Sequence, residues 1–491
     1  MQLDEPNVTL PLASSYNTRG IDAYTAAVTN TLDQRKVNSM YAPVDNPMTG
    51  KKTLYHVKRP GFTLSSGGAS WGTSGQVAHL IEAILTSETW VFSTSGNDIR
   101  ASNDSATQVI VTAAGYKPVY VDSTSISGVQ YVVLQIRNAS FAQRVFYAAA
   151  TDITTWTEIS DSDFTALTLF GKMEHIDGFG LIMDSRNRIY SLDVNSLSSM
   201  GASSFTTKTI SEDEPRGLGK LGDKIVAFNR ETMEVFENAG NPAGSPLKRV
   251  PNSTKKVGLT VTNIVDQRNY CRELDGRLYW IDNNARVQMW DGANVAMVSN
   301  NAIGRMIQDN PSAQHYGIFR ITIGPHDGIA ISLTTTAAAT QRWLMYFPKW
   351  NDWFEWNSVV ACPTTCDRRP HVLLGVGSNQ QHTYISSFTD SWTDDGTNYD
   401  RVIQFALPDG GNDRKFMRWA GLRQDIERSA CNESVQFSDD DGQTWSTAVN
   451  IDCTSAKPHI YRCGSYRKRL VRLTNSSNHE RRIEQFLARV D

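Results

Sequence analysis

Short apolar runs that alternate with polar turns recur along most of the chain. The clearest example is residues 224–228 (KIVAF), an apolar run of strand length that predicts a buried strand. Polar residues 229–232 predict a turn, and residues 233–236 (MEVF) alternate apolar and polar positions like a half-buried partner strand. Glycine, asparagine and proline in residues 238–245 then end the pair. The stretch therefore predicts a β-hairpin followed by a long exit loop.

Units of the same kind recur along the chain, beginning near residues 90, 131, 178, 224, 277, 343 and 383. Their intervals of about 40 to 66 residues approximate the period of four-stranded propeller blades with insertions. A propeller suits this chain because radial repetition buries every sheet face and leaves only short edges. We therefore predict an all-β fold, a β-propeller of about six blades. One or two large β-sandwiches are the alternative that the same spacing allows.

The pattern divides the chain into three parts. Residues 1–20 are predicted to form an extended N-terminal arm, and residues 21–400 the β-propeller. From about residue 400 the strand-like runs lose the blade spacing, which predicts a C-terminal β-sandwich-like module over residues 401–491. Within the propeller, residues 76–86 (QVAHLIEAILT) carry apolar positions at helical spacing and predict a helix with a packing role.

Composition and charge exclude several classes of protein. The formal net charge of −3 over 491 residues argues against a nucleic-acid coat or a membrane-surface protein. No stretch approaches the roughly 18 consecutive apolar residues of a membrane helix, so no membrane insertion is expected. Residues 1–15 lack the basic end and apolar run of a signal peptide. The cysteines lack the paired spacing of a zinc site and are expected to be free thiols: Cys271, Cys362, Cys366, Cys431, Cys453 and Cys463. A clip between Cys362 and Cys366, which are four residues apart, is the alternative.

One motif carries a specific local prediction. Residues 438–445 (SDDDGQTW) fit the Asp-box pattern S-x-D-x-G-x-x-W, whose defining positions are Ser438, Asp440, Gly442 and Trp445. Asp440 is expected to accept backbone N–H bonds, Gly442 to supply a positive φ, and Trp445 to pack beneath the turn. We interpret the motif as a structural turn clip. A calcium ion held by the three aspartates of the motif is the alternative, although a full oxygen cage needs six or more ligands.

The chain shows no phosphate loop, dinucleotide fingerprint or hydrolase motif. A glycosidase would need two carboxylates about 5–9.5 Å apart, but the candidates Glu273, Asp275, Asp282 and Asp352 each lie in a predicted turn that explains them more simply. We therefore expect no enzyme, no catalytic residues, no cofactor and no metal. The aromatic residues of 343–356 are interpreted as core or interface, with a sugar-binding platform as the alternative.

The end of the sequence is its basic part. From Thr454 onward, nine basic residues face three acidic ones, a difference of +6. One interpretation is a solvated strand face that forms salt bridges with neighbouring subunits, and the other presents the cations to phosphates without reading bases. We favour the first. The basic residues are Lys457, Arg462, Arg467, Lys468, Arg469, Arg472, Arg481, Arg482 and Arg489, and the acidic ones are Glu480, Glu484 and Asp491.

Four stretches together resemble the tail nozzle proteins of short-tailed bacteriophages, also called tail hub or packaged-DNA stabilisation proteins. Residues 57–61 (VKRPG) resemble an early K-R-P-G strand end, and residues 225–240 (IVAFNRETMEVFENAG) resemble a central unit of that family. Residues 277–303 resemble a strand, a turn, a W-D-G clasp and a closing S-x-x-A-I pattern. Residues 343–356 are similar to the penultimate blade.

The resemblance implies a structural virion protein of the phage tail, assembled in the host cytoplasm. Such a subunit forms a homohexameric ring below the portal and its adaptor, continues and closes the DNA channel, and docks tail fibres or spikes. Packaged double-stranded DNA would pass through without sequence-specific binding. The resemblance implies no catalytic residues. A receptor-binding or glycan-degrading propeller of a phage tail is the alternative, and a scaffold propeller of cellular origin is a third hypothesis.

Overall fold

The structure is a computed structural model that consists almost entirely of β-strands. It describes residues 5–12, 35–45, 52–64, 81–84, 89–95, 98–102, 107–138, 140, 142–208, 213–241, 244–260, 270–309, 317–323, 326–333, 341–358, 364–366, 369–373, 383–385, 392–394, 396–407, 413–425, 432–455 and 457–491. Within these residues the helices are α1 (Ser162–Thr165), capped by Asp161, and α2 (Asn301–Gln308), capped by Asn300. No helix among them has the length and apolar content needed to cross a membrane.

Most of the chain forms four-stranded antiparallel sheets in which each strand pairs with the next. Five strands come first: β1 (Val8–Pro11), β2 (Arg35–Val37), β3 (Ser39–Asp45), β4 (Lys52–Lys58) and β5 (Phe62–Leu64). The sheets follow as β6 (Ile81–Ile84), β7 (Thr89–Ser95), β8 (Asp98–Ser102), β9 (Thr107–Thr112); β10 (Tyr116–Ile126), β11 (Val129–Asn138), β12 (Gln143–Ala149), β13 (Thr157–Glu158); β14 (Leu169–Ile176), β15 (Phe179–Asp184), β16 (Arg188–Ser191), β17 (Phe205–Thr207); β18 (Pro215–Leu221), β19 (Lys224–Asn229), β20 (Met233–Asn238), β21 (Leu247–Arg249); β22 (Cys271–Leu274), β23 (Arg277–Ile281), β24 (Val287–Trp290), β25 (Val295–Met297); and β26 (Gly317–Ile323), β27 (His326–Leu333), β28 (Gln341–Phe347), β29 (Asp352–Ser358).

The first strands of these sheets form a closed ring. Strand β10 contacts β6 and β14, and the series continues through β18, β22 and β26 to β30 (Thr364–Cys366), which contacts β6 again. At this seventh position β30 pairs with β31 (Arg369–Leu373), and β32 (Thr383–Ile385), which contacts β31, pairs with β5. The fold is therefore the β-propeller that the spacing predicts. Among the described residues it has six continuous sheets and a seventh built from two pairs, whereas the sequence predicted about six.

Most of the predicted hairpins are middle strands of the sheets, whereas the hairpin over residues 343–356 is the third and fourth strand of its sheet. Strands β19 and β20 contain the two runs of the clearest unit, and Ile225 lies opposite Phe236 as a hairpin requires. The predicted helix over residues 76–86 is wrong where the structure describes it, because Ile81–Ile84 form strand β6 and pair with β7. Both faces of a blade are covered by its neighbours, so an inner strand carries apolar residues on both sides and can imitate helical spacing.

The C-terminal module is a β-sandwich. Its strands are β33 (Arg401–Ala406), β34 (Lys415–Gln424), β35 (Asn432–Ser438), β36 (Val449–Asp452), β37 (His459–Tyr461), β38 (Ser465–Tyr466), β39 (Leu470–Asn475) and β40 (Arg482–Val490). One sheet has the order β2-β33-β39-β35-β36, and the other has the order β3-β4-β40-β34-β37 with β1 and β38 beside it. A shared core separates them, in which Phe405 of the first sheet packs edge-on against Phe486 of the second.

The chain divides differently from the sequence prediction. Residues 8–11, expected in an arm, form β1 and pair with β40, and residues 35–58, expected in the propeller, supply β2, β3 and β4 to the sandwich. Strand β2 also pairs in parallel with β29, which joins the sixth propeller sheet and the sandwich into one nine-stranded sheet. Pairing between strands more than 300 residues apart leaves no local pattern, so the linear division at residues 20 and 400 did not anticipate it.

Candidate functional site

The ring of inner strands encloses a polar central cavity of about 650 Å³. Two pairs of titratable side chains line it: Lys172 Nζ lies 2.7 Å from Glu174 Oε1, and His175 Nδ1 lies 3.5 Å from Asp122 Oδ2. Burial raises the pKa of the Cys271 thiol at the cavity wall to about 12, despite the nearby Lys172. At neutral pH this thiol is protonated and is therefore a poor nucleophile.

The four candidate carboxylates do not all lie at one site. Glu273 and Asp275 line the central cavity. Asp282 is buried in its turn, where it accepts hydrogen bonds from the backbone N–H of Arg286 at 2.9 Å and from Gln288 Nε2 at 2.7 Å. Asp352 lies between β29 and the N-terminal strands and accepts from Lys36 Nζ at 2.5 Å and from the Tyr41 hydroxyl at 2.6 Å.

The aromatic residues of 343–356 are part of the core. Trp343 and Trp356 have no exposed surface, and Trp353 is also buried. The indole N–H of Trp356 donates to the Ser39 carbonyl at 2.8 Å, and that of Trp353 donates to the Val298 carbonyl at 3.0 Å. The sugar-platform alternative is therefore wrong for these tryptophans, because their rings face the interior.

The Asp-box forms a compact turn between β35 and β36. Ser438 Oγ donates to Asp440 at 2.7 Å and accepts from the Gly442 N–H at 2.9 Å, while Asp440 accepts from the Thr444 N–H at 2.9 Å. Gly442 has φ 86°, and Trp445 Nε1 donates to its carbonyl at 3.1 Å. The hydrogen bonds from Thr444 lower the pKa of Asp440 to about 2.

The three aspartates of the Asp-box have different surroundings. Asp440 is bonded into the turn, whereas Asp439 accepts from Arg469 Nε at 2.7 Å and from Nη2 at 2.8 Å. Asp441 is exposed, with φ 58°. Within the described residues, no group of three or more His, Cys, Asp or Glu side chains could hold a metal ion.

Trp445 stabilises the module through a contact outside the motif. Its ring lies 3.6 Å from the Arg472 guanidinium on strand β39. We expect Trp445→Ala to lower the free energy of unfolding by about 1–2 kcal/mol, since both burial of the ring and the cation–π contact are lost. Urea denaturation followed by circular dichroism measures this change. Trp445→Phe should lower the free energy of unfolding by less than Trp445→Ala does. Equal stability of the alanine variant and the native chain would contradict the stabilising role of Trp445.

The basic C-terminal residues divide into two groups. Arg469 pairs with Asp439, Arg481 with Glu433, and Arg482 with Glu480, all within the same chain. The side chains of Lys457, Arg462 and Arg467 are exposed. Intersubunit salt bridges and phosphate contacts are therefore disfavoured for the three paired arginines and stay open for the other basic residues of the segment.

The K-R-P-G segment forms the joint between the two modules. Arg59 is fully buried and holds Asp394 through two bonds, from Nη2 at 2.6 Å and from Nη1 at 2.8 Å. Its guanidinium lies 3.8 Å from the Tyr399 ring. Gly61 has no room for a side chain, because a Cβ there would lie 2.0 Å from the Thr393 carbonyl oxygen. The sequence suggested this segment only through the family resemblance and did not reveal its partners.

Lys58 makes the joint sensitive to pH. It has no exposed surface, its Nζ donates to the Ser477 carbonyl at 2.8 Å, and burial lowers its pKa from 10.5 to about 8. Between these values the unfolded chain binds more protons than the folded chain, so this group adds stability as the pH rises from 8 to 10.

We expect Lys58→Met to remove that pH dependence. Denaturation of both proteins at pH 8, 9 and 10 should show the native chain gaining stability relative to the variant as the pH rises. Lys457→Met, at an exposed position, is the control. Its stability relative to the native chain should not change between pH 8 and pH 10. If the difference in free energy of unfolding between the native chain and Lys58→Met is the same at all three pH values, the lowered pKa of Lys58 is contradicted.

A second concave surface lies where the propeller sheet continues into the sandwich. This junction groove has a volume of about 860 Å³ and is lined by Arg35, Val37, Asn38, Arg342, Glu355, Asn357, Asp394, Thr397, Asn398, Tyr399, Asp400, Val402, Gln404, Gln436, Arg472 and Thr474. Its floor is one face of the nine-stranded sheet, and Asp394 and residues 397–400 form a wall. No pattern in the sequence indicated this groove, because its lining residues come from distant strands.

No family model and no curated protein matches the chain. Similar solved structures include the complex of BBS1N with ARL6DN (TM-score 0.43, 9% identity, covering 68% of this chain and 99% of that one) and BamB from Moraxella catarrhalis (0.34, 11%, 71% and 94%). A chain of the mitotic checkpoint complex is also similar (0.37, 10%, 71% and 98%). These TM-scores are below 0.5, so the fold assignment rests on the sheet order itself.

Proposed function

We propose that this protein is the subunit of a homohexameric tail nozzle in a short-tailed bacteriophage. The ring would lie below the portal and adaptor, continue and close the DNA channel, and dock tail fibres or spikes. The observation that carries the proposal, together with the four sequence resemblances, is the sheet shared by propeller and sandwich. It makes the two modules a single stiff body.

Stiffness matters because a closed ring demands a fixed angle between neighbours. Head-to-tail contacts close only when the rotation between successive subunits is constant, and otherwise they generate open filaments. The shared sheet, the Arg59–Asp394 pair and the Lys36–Asp352 pair all oppose rotation of one module against the other. Such a body suits a part that holds packaged DNA until infection.

In the proposed nozzle, DNA runs along the axis of the ring and not through the propeller. The propeller cavity of about 650 Å³ is the size of a small-molecule site and could not admit a duplex. The net charge of −3 also suits a conduit, because a strongly basic wall would hold the phosphates that must slide past.

Contacts with neighbours are most easily placed on the sandwich. Phe416 and Tyr461 are each 50% exposed, and they are the aromatic residues among the strongly exposed large apolar side chains of the described chain. Aromatic residues are enriched at protein interfaces, where they supply much of the binding energy. We therefore assign these two side chains to contacts with a neighbour in the ring, the adaptor or a fibre.

The test is the assembly state of the purified full chain. We expect mass photometry to show particles of six 54.6-kDa chains, and electron microscopy to show six-fold rings. Phe416→Ser combined with Tyr461→Ser should leave the melting temperature nearly unchanged. It should weaken the assembly contacts that depend on these two side chains. A chain that stays monomeric at all concentrations and binds or cleaves glycans would favour the alternative of a receptor-binding or glycan-degrading propeller.

A further inference from the structure

The floor of the junction groove carries a row of long polar side chains contributed by four strands. Arg35 lies opposite Gln404, Gln404 lies opposite Arg472, and Arg472 lies opposite Gln436. Directly opposed residues of antiparallel strands place their side chains on the same face. With strands about 4.8 Å apart, the two arginines lie about 10 Å from each other across the row.

One arginine of this row is held in place by the Asp-box. The Trp445 ring covers the Arg472 guanidinium at 3.6 Å, and Gln404 Oε1 accepts from Arg472 Nε at 3.2 Å. Stacking against an aromatic face and a side-chain bond together restrict a planar group that would otherwise sample many rotamers. The Asp-box thus positions a cation at the groove as well as closing its own turn.

The other charges of the groove are largely paired with one another or with a buried arginine. Glu355 accepts from Arg342 at 2.8 Å, and Asp394 is held by the buried Arg59. Asp400 is exposed. The two arginines of the row therefore face a surface on which two of the three carboxylates are already paired, which favours an anionic occupant.

A second row beside the first is less polar. Val37 lies opposite Val402, and Val402 lies opposite Thr474. The floor thus offers guanidinium and amide groups along one line and small, mostly apolar side chains along the next. The two rows are about 7 Å apart, because Arg35 and Val37 are alternate residues of one strand. An extended peptide matches this spacing, since its own alternate side chains lie on the same side about 7 Å apart.

We propose that the junction groove is the docking site for an extended, acidic segment of a partner protein. Carboxylates of the segment bind the guanidinium groups of Arg35 and Arg472, whose fork geometry matches a carboxylate. Smaller residues of the segment pack on Val37 and Val402. A walled groove of about 860 Å³ accepts a peptide but not the broad, rigid cylinder of a duplex. The proposal does not depend on ring assembly.

The experiment measures binding of a fluorescent hexaglutamate peptide to the purified full chain by anisotropy at two salt concentrations. We expect saturable binding that weakens at high salt, and at least a tenfold loss of affinity in the double variant Arg35→Gln, Arg472→Gln. The matched control, Arg462→Gln with Arg467→Gln, removes the same charge from exposed positions of the sandwich and should change the affinity less than twofold. Melting curves of both double variants check that they fold.

Hydrogen exchange on the native chain gives a second measurement that needs no variant. Bound hexaglutamate should protect strands β2, β33 and β39, while hexaglutamine should not. Equal losses in the two double variants, absence of protection, or no saturable binding would each overturn the proposal. So would duplex DNA that displaces the peptide and depends on the same two arginines, because the groove would then be a nucleic-acid site.

Discussion

Replacing Glu433 by glutamine is expected to lower the free energy of unfolding of the C-terminal module by about 3–5 kcal/mol. Glu433 lies between the guanidinium groups of Arg401 and Arg481, and all three side chains have no exposed surface. Removing the carboxylate's charge leaves two positive charges in the core of the sandwich without their counter-ion. Urea denaturation followed by near-ultraviolet circular dichroism measures the loss.

Two further variants separate the buried charge from a general effect of substitution. Glu231→Gln makes the same chemical change at an exposed position and should alter stability by less than about 0.5 kcal/mol. Replacing the whole cluster, as Arg401→Met, Glu433→Leu and Arg481→Met, should cost less than the single change, because no charge then stays buried. If Glu433→Gln is as stable as the native chain, the side chains of Arg401, Glu433 and Arg481 are not energetically coupled.

Arg59→Met is expected to weaken the joint by about 3–5 kcal/mol and to separate the unfolding of the propeller from that of the sandwich. The variant leaves Asp394 without its buried guanidinium and deprives the Asn357 carbonyl of a donor at 3.0 Å. Differential scanning calorimetry should show one transition for the native chain and two for the variant.

The control for this prediction is Arg462→Met, which removes a cation from an exposed position. It should retain a single transition at nearly the native temperature. If Arg59→Met also unfolds in a single transition at the native temperature, the two modules are coupled by the shared sheet alone.

Local elements could be predicted from the sequence because their determinants are adjacent. Residues 224–228 and 233–236 contain both the strands and the turn that joins them, and the structure pairs them in the predicted order. The Asp-box is similar, since its hydrogen bonds connect Ser438, Asp440, Gly442 and Thr444 within a few residues. In each case the pattern and the contact that it encodes occupy the same short segment.

The joint and the groove could not be predicted in the same way. Arg59 meets Asp394 across 335 residues, and the groove brings Arg35 beside Arg472 through the register of two intervening strand pairs. A one-residue slip would turn these side chains to the opposite face, and nothing in the linear pattern fixes that register. The resemblance pointed to residues 57–61, but only the folded chain shows what they bind.

The interlocking of distant strands also has a consequence for synthesis of the protein. Strand β5 pairs with β32, β1 pairs with β40, and β4 pairs with β40 along the edge opposite β3, so these strand edges lack their partners until several hundred further residues have been translated. At about 5–20 residues per second this interval lasts tens of seconds. During that time an unpaired strand edge can pair with another chain, which leads to aggregation. Expression at lower temperature, or together with more chaperone, should therefore raise the soluble yield.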